Sequence, residues 1–340
     1  MIAIGKKVCV YAPGLKDINE ATRYYINIIM DGVANGNVKH VSHIRDLLKY
    51  DIVITLDAKS FFFTKLSFPR KKIINWFQGV VPEEAMMIFN SRFRYCYWSL
   101  FEYFTLKYAH YNIFVSDKML EHYVRKYKYK KSNYTVMPCF NSEINTSIIR
   151  NNSDKYSSLS FVYAGSLHKW QCIMQTLYFF KKVQLKYPDA LLLFLTFDKI
   201  KAQKLVDDLE LNNVRVDSVS ENELPFHIAK CHFGFLIREE SIVNQVATPT
   251  KMSSYLSVGT IPIFTSAIEE LNEKINIKNK FVYSCREDMD SVITKFEEYF
   301  SDGIDVELLI KEYENVFETY YNKDFYKSII RNKVKELGVL

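Results

Sequence analysis

Three short runs bring together residue types suited to a phosphorylated ligand. Gly165, Ser166 and Lys169 stand in the run GSLHK, directly after an apolar, strand-like segment. A glycine there lets the backbone approach a ligand, a following helix N-terminus favours an anion, and the lysine adds a full charge. The same residues also make an ordinary turn. The second run is ATPTKMSSYL at residues 247–256, with Gly259 and Pro262 beyond it. Thr248 suits an N-cap, Pro249 the first helical position and Gly259 the helix stop. Lys251 then falls in the first turn, where the helix dipole disfavours a cation and a nearby anion would remove the conflict; a lysine reaching into solvent is equally consistent. The third run is Arg238, Glu239, Glu240 and Ser241 with Asn244, a charged group after a strand-like segment that reads as ligand residues or as a solvated loop. Lys169, Arg238 and Lys251 are the candidate catalytic cations, able to stabilise negative charge on a ligand.

The elements that must position these runs alternate between short apolar segments and longer helical patterns, which is the pattern of parallel α/β layers. Strands are expected at 8–12, 52–56, 73–77, 113–116 and 134–137, with a helix from about 19 to 32 after the Pro13-Gly14 break. Residues 141–158 are polar and rich in Asn and Ser, a linker composition. A second series follows, with strands at 160–164, 190–196, 214–217, 233–237 and 261–264, and closing helices over 306–317 and 325–334. The expected fold is α/β, two doubly wound Rossmann-like domains with a ligand cleft between them. Residues 1–145 form the first domain, 155–300 the second, and 301–340 are helices returning toward the first. At 340 residues, two domains are the default. Ligands of such sheets sit beyond the carboxyl ends of the strands, so the loops there matter most.

Charge is uneven. Residues 1–150 hold 22 Lys+Arg against 12 Asp+Glu, net +10; the remainder holds 45−22=23 against 39−12=27, net −4. A basic first half suggests an anionic surface or ligand. No zinc-finger spacing or RNP-like motif accompanies it, so nucleic acid is not expected as a partner. The six cysteines are scattered without a C-x-x-C pair, as in a reduced cytoplasmic protein, and Cys231-His232 lacks a second ligand pair, so no metal site is expected. The longest apolar stretch, 190–197, is far short of a bilayer span and no signal peptide is expected, which points to a soluble or peripheral protein.

The run FVYAGSLHKW is similar to the strand-glycine-basic phosphate loop of retaining GT-B glycosyltransferases of the bacterial polysaccharide type, the glycosyl transferases group 1 superfamily. GFLIREESIVNQVATPTKMSSYLSVGTIPI is similar to that group's donor segment, where P-x-K precedes a Tyr-Leu helix and a G-x-x-P turn, and NWFQGVVPEEA resembles a loop of its acceptor domain. The resemblance covers both domains and is densest over about 100 residues of the second. It implies a GT-B fold and transfer of a sugar, with retention at the anomeric carbon and without a metal. The nucleotide-diphosphate sugar is a co-substrate and no other cofactor is needed; the acceptor is a glycan or polyprenyl-diphosphate-linked glycan at the inner face of the membrane. The leaving phosphate itself takes the acceptor proton, so no general base need stand out. Donor contacts then fall to Gly165, Ser166, Val219, Glu239, Asn244, Thr250, Ser254 and Tyr255. Acceptor contacts fall to Gly14, Gln78, Gly79, Glu83 and Glu84, although Glu83 and Glu84 are also ordinary acids at a helix start. One departure stands out: the family's glutamate before Tyr-Leu is Ser254 here, and the position eight residues upstream is Val246. A noncatalytic GT-B nucleotide-sugar-binding protein and a GT-B sugar-nucleotide epimerase are the alternatives.

Two further features bear on a membrane. Phe93, Tyr97, Leu100, Phe101, Phe104 and Tyr108 recur at helical spacing, a stripe that reads as core more readily than as a lipid-facing surface. Residues 125–131 (RKYKYKK) form a basic-aromatic run suited to anionic headgroups or to a solvated helix end.

Overall fold

The computed structural model describes residues 6–14, 20–34, 36 and 38–339. It divides into two compact units. The first, residues 1–139 with 246–248 and 322–340, is built on a six-stranded parallel sheet: β1 (Val8–Tyr11), β2 (Val38–Val41), β3 (Ile52–Thr55), β4 (Lys72–Phe77), β5 (Tyr111–Phe114) and β6 (Tyr134–Val136), in the order β2-β1-β3-β4-β5-β6. The second, residues 140–245 and 249–321, carries β7 (Ser160–Ala164), β8 (Leu191–Leu195), β9 (Val214–Asp217), β10 (Phe233–Leu236), β11 (Ile261–Thr265) and β12 (Phe281–Tyr283), in the order β12-β11-β10-β7-β8-β9, again all parallel. Helices alternate with strands in both units, so the α/β fold of two doubly wound parallel sheets expected from the sequence is the one observed.

The central strands are near-continuous apolar runs because both faces of a parallel sheet are covered by helices; every residue of β1, β3, β7, β10 and β11 is buried. Side chains start the helices where expected of N-caps: Asp57, Ser91, Ser116 and Asp305 each accept a backbone N–H of the first turn. Gly32 lets the helix Glu20–Ala34 lie directly on Lys323–Glu336, since a Cβ there would sit 2.8 Å from Ile330. Lys327 pairs with Asp31 at 3.0 Å across the same contact.

The structure differs from the sequence reading in several places. β2 was not foreseen: its middle residues Lys39 and His40 are exposed on the sheet edge, so VKHV carries no apolar run. β12 and the helix Met289–Ser301 were also missed. The stretch read as a linker contains the helix Thr146–Asn151 and a 3-10 turn Ser153–Ser157. Ile149 anchors the helix in the core, and buried Lys155 donates to Val258 O at 2.9 Å. Its polar composition reflects caps and turns, with Asn145 accepting from Ile148 N. The two closing helices are divided, Val306–Thr319 lying in the second unit and Lys323–Glu336 in the first. Residue 19, where the first helix was expected to begin, lies outside the described residues.

Candidate functional site

In the second unit the chain leaves β7 in one direction to β8 and β9, and in the other direction builds β10, β11 and β12. The loops after β7 and β10 therefore diverge, opening a crevice at the carboxyl ends of these neighbouring strands. The loop after β7 supplies Gly165 and Ser166; the loop after β10 supplies Arg238; the helix Thr250–Leu256 supplies Lys251.

These residues converge on one oxygen. Gln171 Oε1 accepts from Arg238 Nη2 at 2.7 Å and from Lys251 Nζ at 2.7 Å. Tyr163 places its ring 3.9 Å from Lys251 Nζ and donates its hydroxyl to Ser166 O at 2.6 Å. Arg238 is 3% exposed, and its guanidinium also donates to Ile237 O and Gln171 O. Thr265, at the end of β11, clamps the Arg238 backbone by accepting from its N–H and donating to its carbonyl. Gly165 is needed twice over. Its φ of +150° disfavours other residues, and a Cβ would lie 2.6 Å from Lys251 Cε and 2.8 Å from Nζ.

Two cations thus share a neutral amide oxygen, and among the described residues neither has a carboxylate partner. Burial, with the Arg238 charge beside it, holds the Lys251 ammonium well below the usual lysine range. Arg238 is lowered by burial too, but guanidinium keeps its proton in proteins. Like charges held together with little water are costly unless a counter-charge arrives. An anion arriving here would supply that counter-charge.

The acids of the β10 loop are engaged elsewhere. Glu239, exposed, bonds to Gln175 through its carboxylate and accepts from Asn244 Nδ2 on its carbonyl at 2.8 Å; Glu240 pairs with Arg286. Lys169 is exposed on the 3-10 turn Lys169–Gln171, beside the converging group. That turn separates the GSLHK run from the next helix, Ile173–Lys186, so the run does not sit at a helix N-terminus as expected. Val219 lies beyond the outer strand β9. Thr248 does not cap a helix: its hydroxyl accepts from Cys139 N and donates to Val115 O, and Pro249 takes the N-cap position. The carbonyl of Thr250 accepts from Ser253 at 2.9 Å, with Ser254 Oγ 3.2 Å away. Ser254, where the resemblance implies glutamate, also lies 3.1 Å from Asn141 Oδ1, and so helps fix the segment that enters the unit. Tyr255 is wholly buried against Gly234, and its hydroxyl donates to Phe235 O at 3.0 Å; it packs the floor of the site. Gln171 and Tyr163, which organise the group, were missed because neither spacing nor charge distinguishes them in the sequence. Among the described residues no group of three His, Cys, Asp or Glu could hold a metal.

The residues assigned to an acceptor lie in the first unit. Gly14 is exposed in the turn after β1. Gln78 ties the loop after β4 to Leu56 O at 3.1 Å, and Gly79 leaves room for the Glu84 carboxyl, which would clash with any Cβ there. Glu84 has its carboxyl raised by burial and by neighbouring Glu83. Glu83 Oε1 is within reach of three groups: Tyr95 Oη at 3.3 Å, His122 Nε2 at 3.1 Å and Lys126 Nζ at 2.8 Å. Lys126 reaches on to Glu102, which also accepts from Tyr123 and Tyr127. Glu102 is 1% exposed, and burial pushes its carboxyl up to about 8. The helix Arg92–Tyr108 turns Glu102, Phe101, Thr105 and Leu106 inward, while Phe93, Tyr97, Leu100 and Tyr108 are exposed, so most of the aromatic stripe is surface. In the basic run Arg125, Lys128, Lys130 and Lys131 are exposed, whereas Lys126 is drawn into the Glu83–Glu102 network and Tyr129 is buried.

No protein-family model matches the sequence, and no curated protein is similar to it. Solved structures are similar in fold. HepE from Anabaena in complex with UDP-glucose superposes with a TM-score of 0.72 at 8% identity, over 98% of this chain and 100% of that one. Sucrose-phosphate synthase from Thermosynechococcus elongatus gives 0.72 at 11% identity, over 98% and 99%. WaaG, a glycosyltransferase involved in lipopolysaccharide biosynthesis, gives 0.65 at 12%, over 95% and 99%. At these identities the likeness is one of fold.

Proposed function

We propose that the protein is a glycosyltransferase that uses a nucleotide-diphosphate sugar and retains the anomeric configuration, in cell-surface polysaccharide biosynthesis. The observation that carries the reading is the Arg238–Lys251 pair on Gln171 at the β7/β10 switch point, a buried and a half-buried cation with no carboxylate partner among the described residues. A diphosphate supplies the charge they lack, displacing the amide oxygen, and as the sugar bond breaks the growing charge on the leaving group is met by fixed donors. Lys169 at the rim adds long-range attraction. Gly165 and Ser166 let the ligand approach the backbone, and Val219, Glu239, Asn244, Thr250 and Ser254 are placed by this reading around the nucleoside and sugar. Gly14, Gln78, Gly79, Glu83 and Glu84 serve the acceptor, a glycan or lipid-linked glycan at the cytoplasmic membrane face. The charge demand is met by Arg and Lys side chains, so transfer proceeds without a metal. Support comes from the fold shared with WaaG, a glycosyltransferase, and with HepE, solved in complex with UDP-glucose.

The test is turnover of UDP-, GDP- and ADP-sugars in EDTA, with the product anomer read by NMR. The expected result is release of nucleoside diphosphate with retention, lowered about a hundredfold in Lys251→Met and Arg238→Met. A nucleotide sugar bound but never cleaved favours the noncatalytic reading, for which Ser254, occupied with Asn141, is the supporting observation.

A further inference from the structure

We infer that the outer face of the helix Arg92–Tyr108, with the flanking helices Ala58–Ser67 and Val81–Phe89, is a docking surface for an anionic lipid bilayer. This deepens the lipid-linked-acceptor part of the function proposed above.

The helix is inverted relative to a soluble one. Phe93, Tyr97 and Leu100 follow one another at helical spacing on its solvent side, Phe93 80% and Leu100 60% exposed. Phe63 and Tyr97 both lie against Phe101, at ring-centroid distances of 6.3 and 4.9 Å, so the exposed rings of two helices are contiguous. Leu66 extends the patch one turn along Ala58–Ser67. Phe89 extends it on the other side, held under the Arg94 guanidinium at 4.1 Å. Contiguous apolar area of this kind on a single chain marks an interaction site.

Charge selects the occupant. The charged residues on the exposed side of this helix are Arg92, Arg94 and Lys107, all cations, none in an ion pair among the described residues. The helix has one acid, Glu102, and it is turned into the core. Aromatic rings flanked by cations, with no exposed carboxylate, match the headgroup–acyl boundary of an anionic leaflet: rings enter the boundary and the cations meet phosphates.

The experiment is co-sedimentation of the full chain with phosphatidylcholine vesicles, with and without phosphatidylglycerol, at low and high salt, alongside analytical ultracentrifugation without lipid. Wild-type protein is expected to bind only the anionic vesicles, and less at high salt. The triple variant Phe93→Ser/Tyr97→Ser/Leu100→Ser should lose binding at least roughly tenfold, and Arg92→Ser/Arg94→Ser/Lys107→Ser about a hundredfold. All these positions are exposed, and unchanged circular dichroism checks the fold. Three results would each overturn the inference: wild-type protein that ignores anionic vesicles at low salt; unchanged binding by the triple aromatic variant; or a wild-type dimer that this variant makes monomeric, which would assign the face to a second copy. Nucleotide-sugar binding, measured on the same proteins without lipid, keeps failure of the surface apart from failure of the proposed activity.

Discussion

Charged side chains are buried in both units, and they are balanced in opposite ways. In the first, Lys126 bridges Glu83 and Glu102, His122 and Tyr95 share Glu83 Oε1 with it, and Tyr123 and Tyr127 donate to Glu102. Glu83 Oε2 is buried without a hydrogen-bond partner among the described residues. In the second, Arg238 and Lys251 meet at one amide oxygen with no acid between them. Charge of both signs holds the first group together, whereas the pair of like sign in the second is left without a counter-charge. Burial alone does not single out a candidate site; neighbouring charges of one sign do.

The contrast is sharpest in stability. Lys126→Met takes the cation from Glu83 and a donor from Glu102, and should cost roughly 3 kcal/mol in urea unfolding. Lys251→Met relieves the repulsion from Arg238 and fills similar space, so its unfolding midpoint should equal or exceed that of wild type. If Lys251→Met proved as destabilising as Lys126→Met, the two sites would not differ as described.

Titration probes the first region by itself. The Glu102 carboxyl stands near pH 8 in the fold against an ordinary value of 4.5, so between these limits the native state holds a proton that the unfolded chain releases. Stability from this group is therefore fully present below about pH 4.5 and declines as pH rises to about 8. Buried His232, lowered to about 4, and Lys155, lowered to about 7, act in the opposite sense over pH 4–6.5 and above 7. The informative quantity is thus the difference from Glu102→Gln. The variant should match wild type near pH 4.5 and become more stable by about 2 kcal/mol or more at pH 8. A constant difference across that range would mean that Glu102 does not hold its proton.

A smaller effect is expected at the glycine of the second region. Gly165→Ala adds a Cβ against Lys251 at a φ of +150°. It should cost about 1–2 kcal/mol of stability and roughly tenfold in turnover. Were Lys251 free to swing aside, Gly165→Ala would keep wild-type turnover and show only the stability cost of its φ.

Much of this architecture was legible in the residues. β7, β9, β10 and β11 are short apolar runs bounded by Gly, Asp or charged residues, and periodicity finds them. β2 escaped because an edge strand with Lys39 and His40 outward has no apolar pattern, and residues 141–158 because capping Asn and Ser resemble linker Asn and Ser. At the site, the cations Arg238 and Lys251 stood out by charge and position. Gln171 did not, because an amide that holds two cations together is visible only once the loops after β7 and β10 are side by side. The aromatic stripe misled in the other direction: helical spacing identifies a face, but not the side of the helix that looks inward.

The central claim is that Arg238 and Lys251 form an open anion site for a nucleoside diphosphate. Isothermal titration calorimetry with UDP, GDP, ADP and their nucleosides tests it without any assumption about the sugar or acceptor. One nucleoside diphosphate should bind wild type, its nucleoside should bind at least roughly tenfold more weakly, and Arg238→Met and Lys251→Met should each erase that difference. Binding of the diphosphate equally to wild type and both variants, or binding of none of the three diphosphates to wild type, would contradict the account.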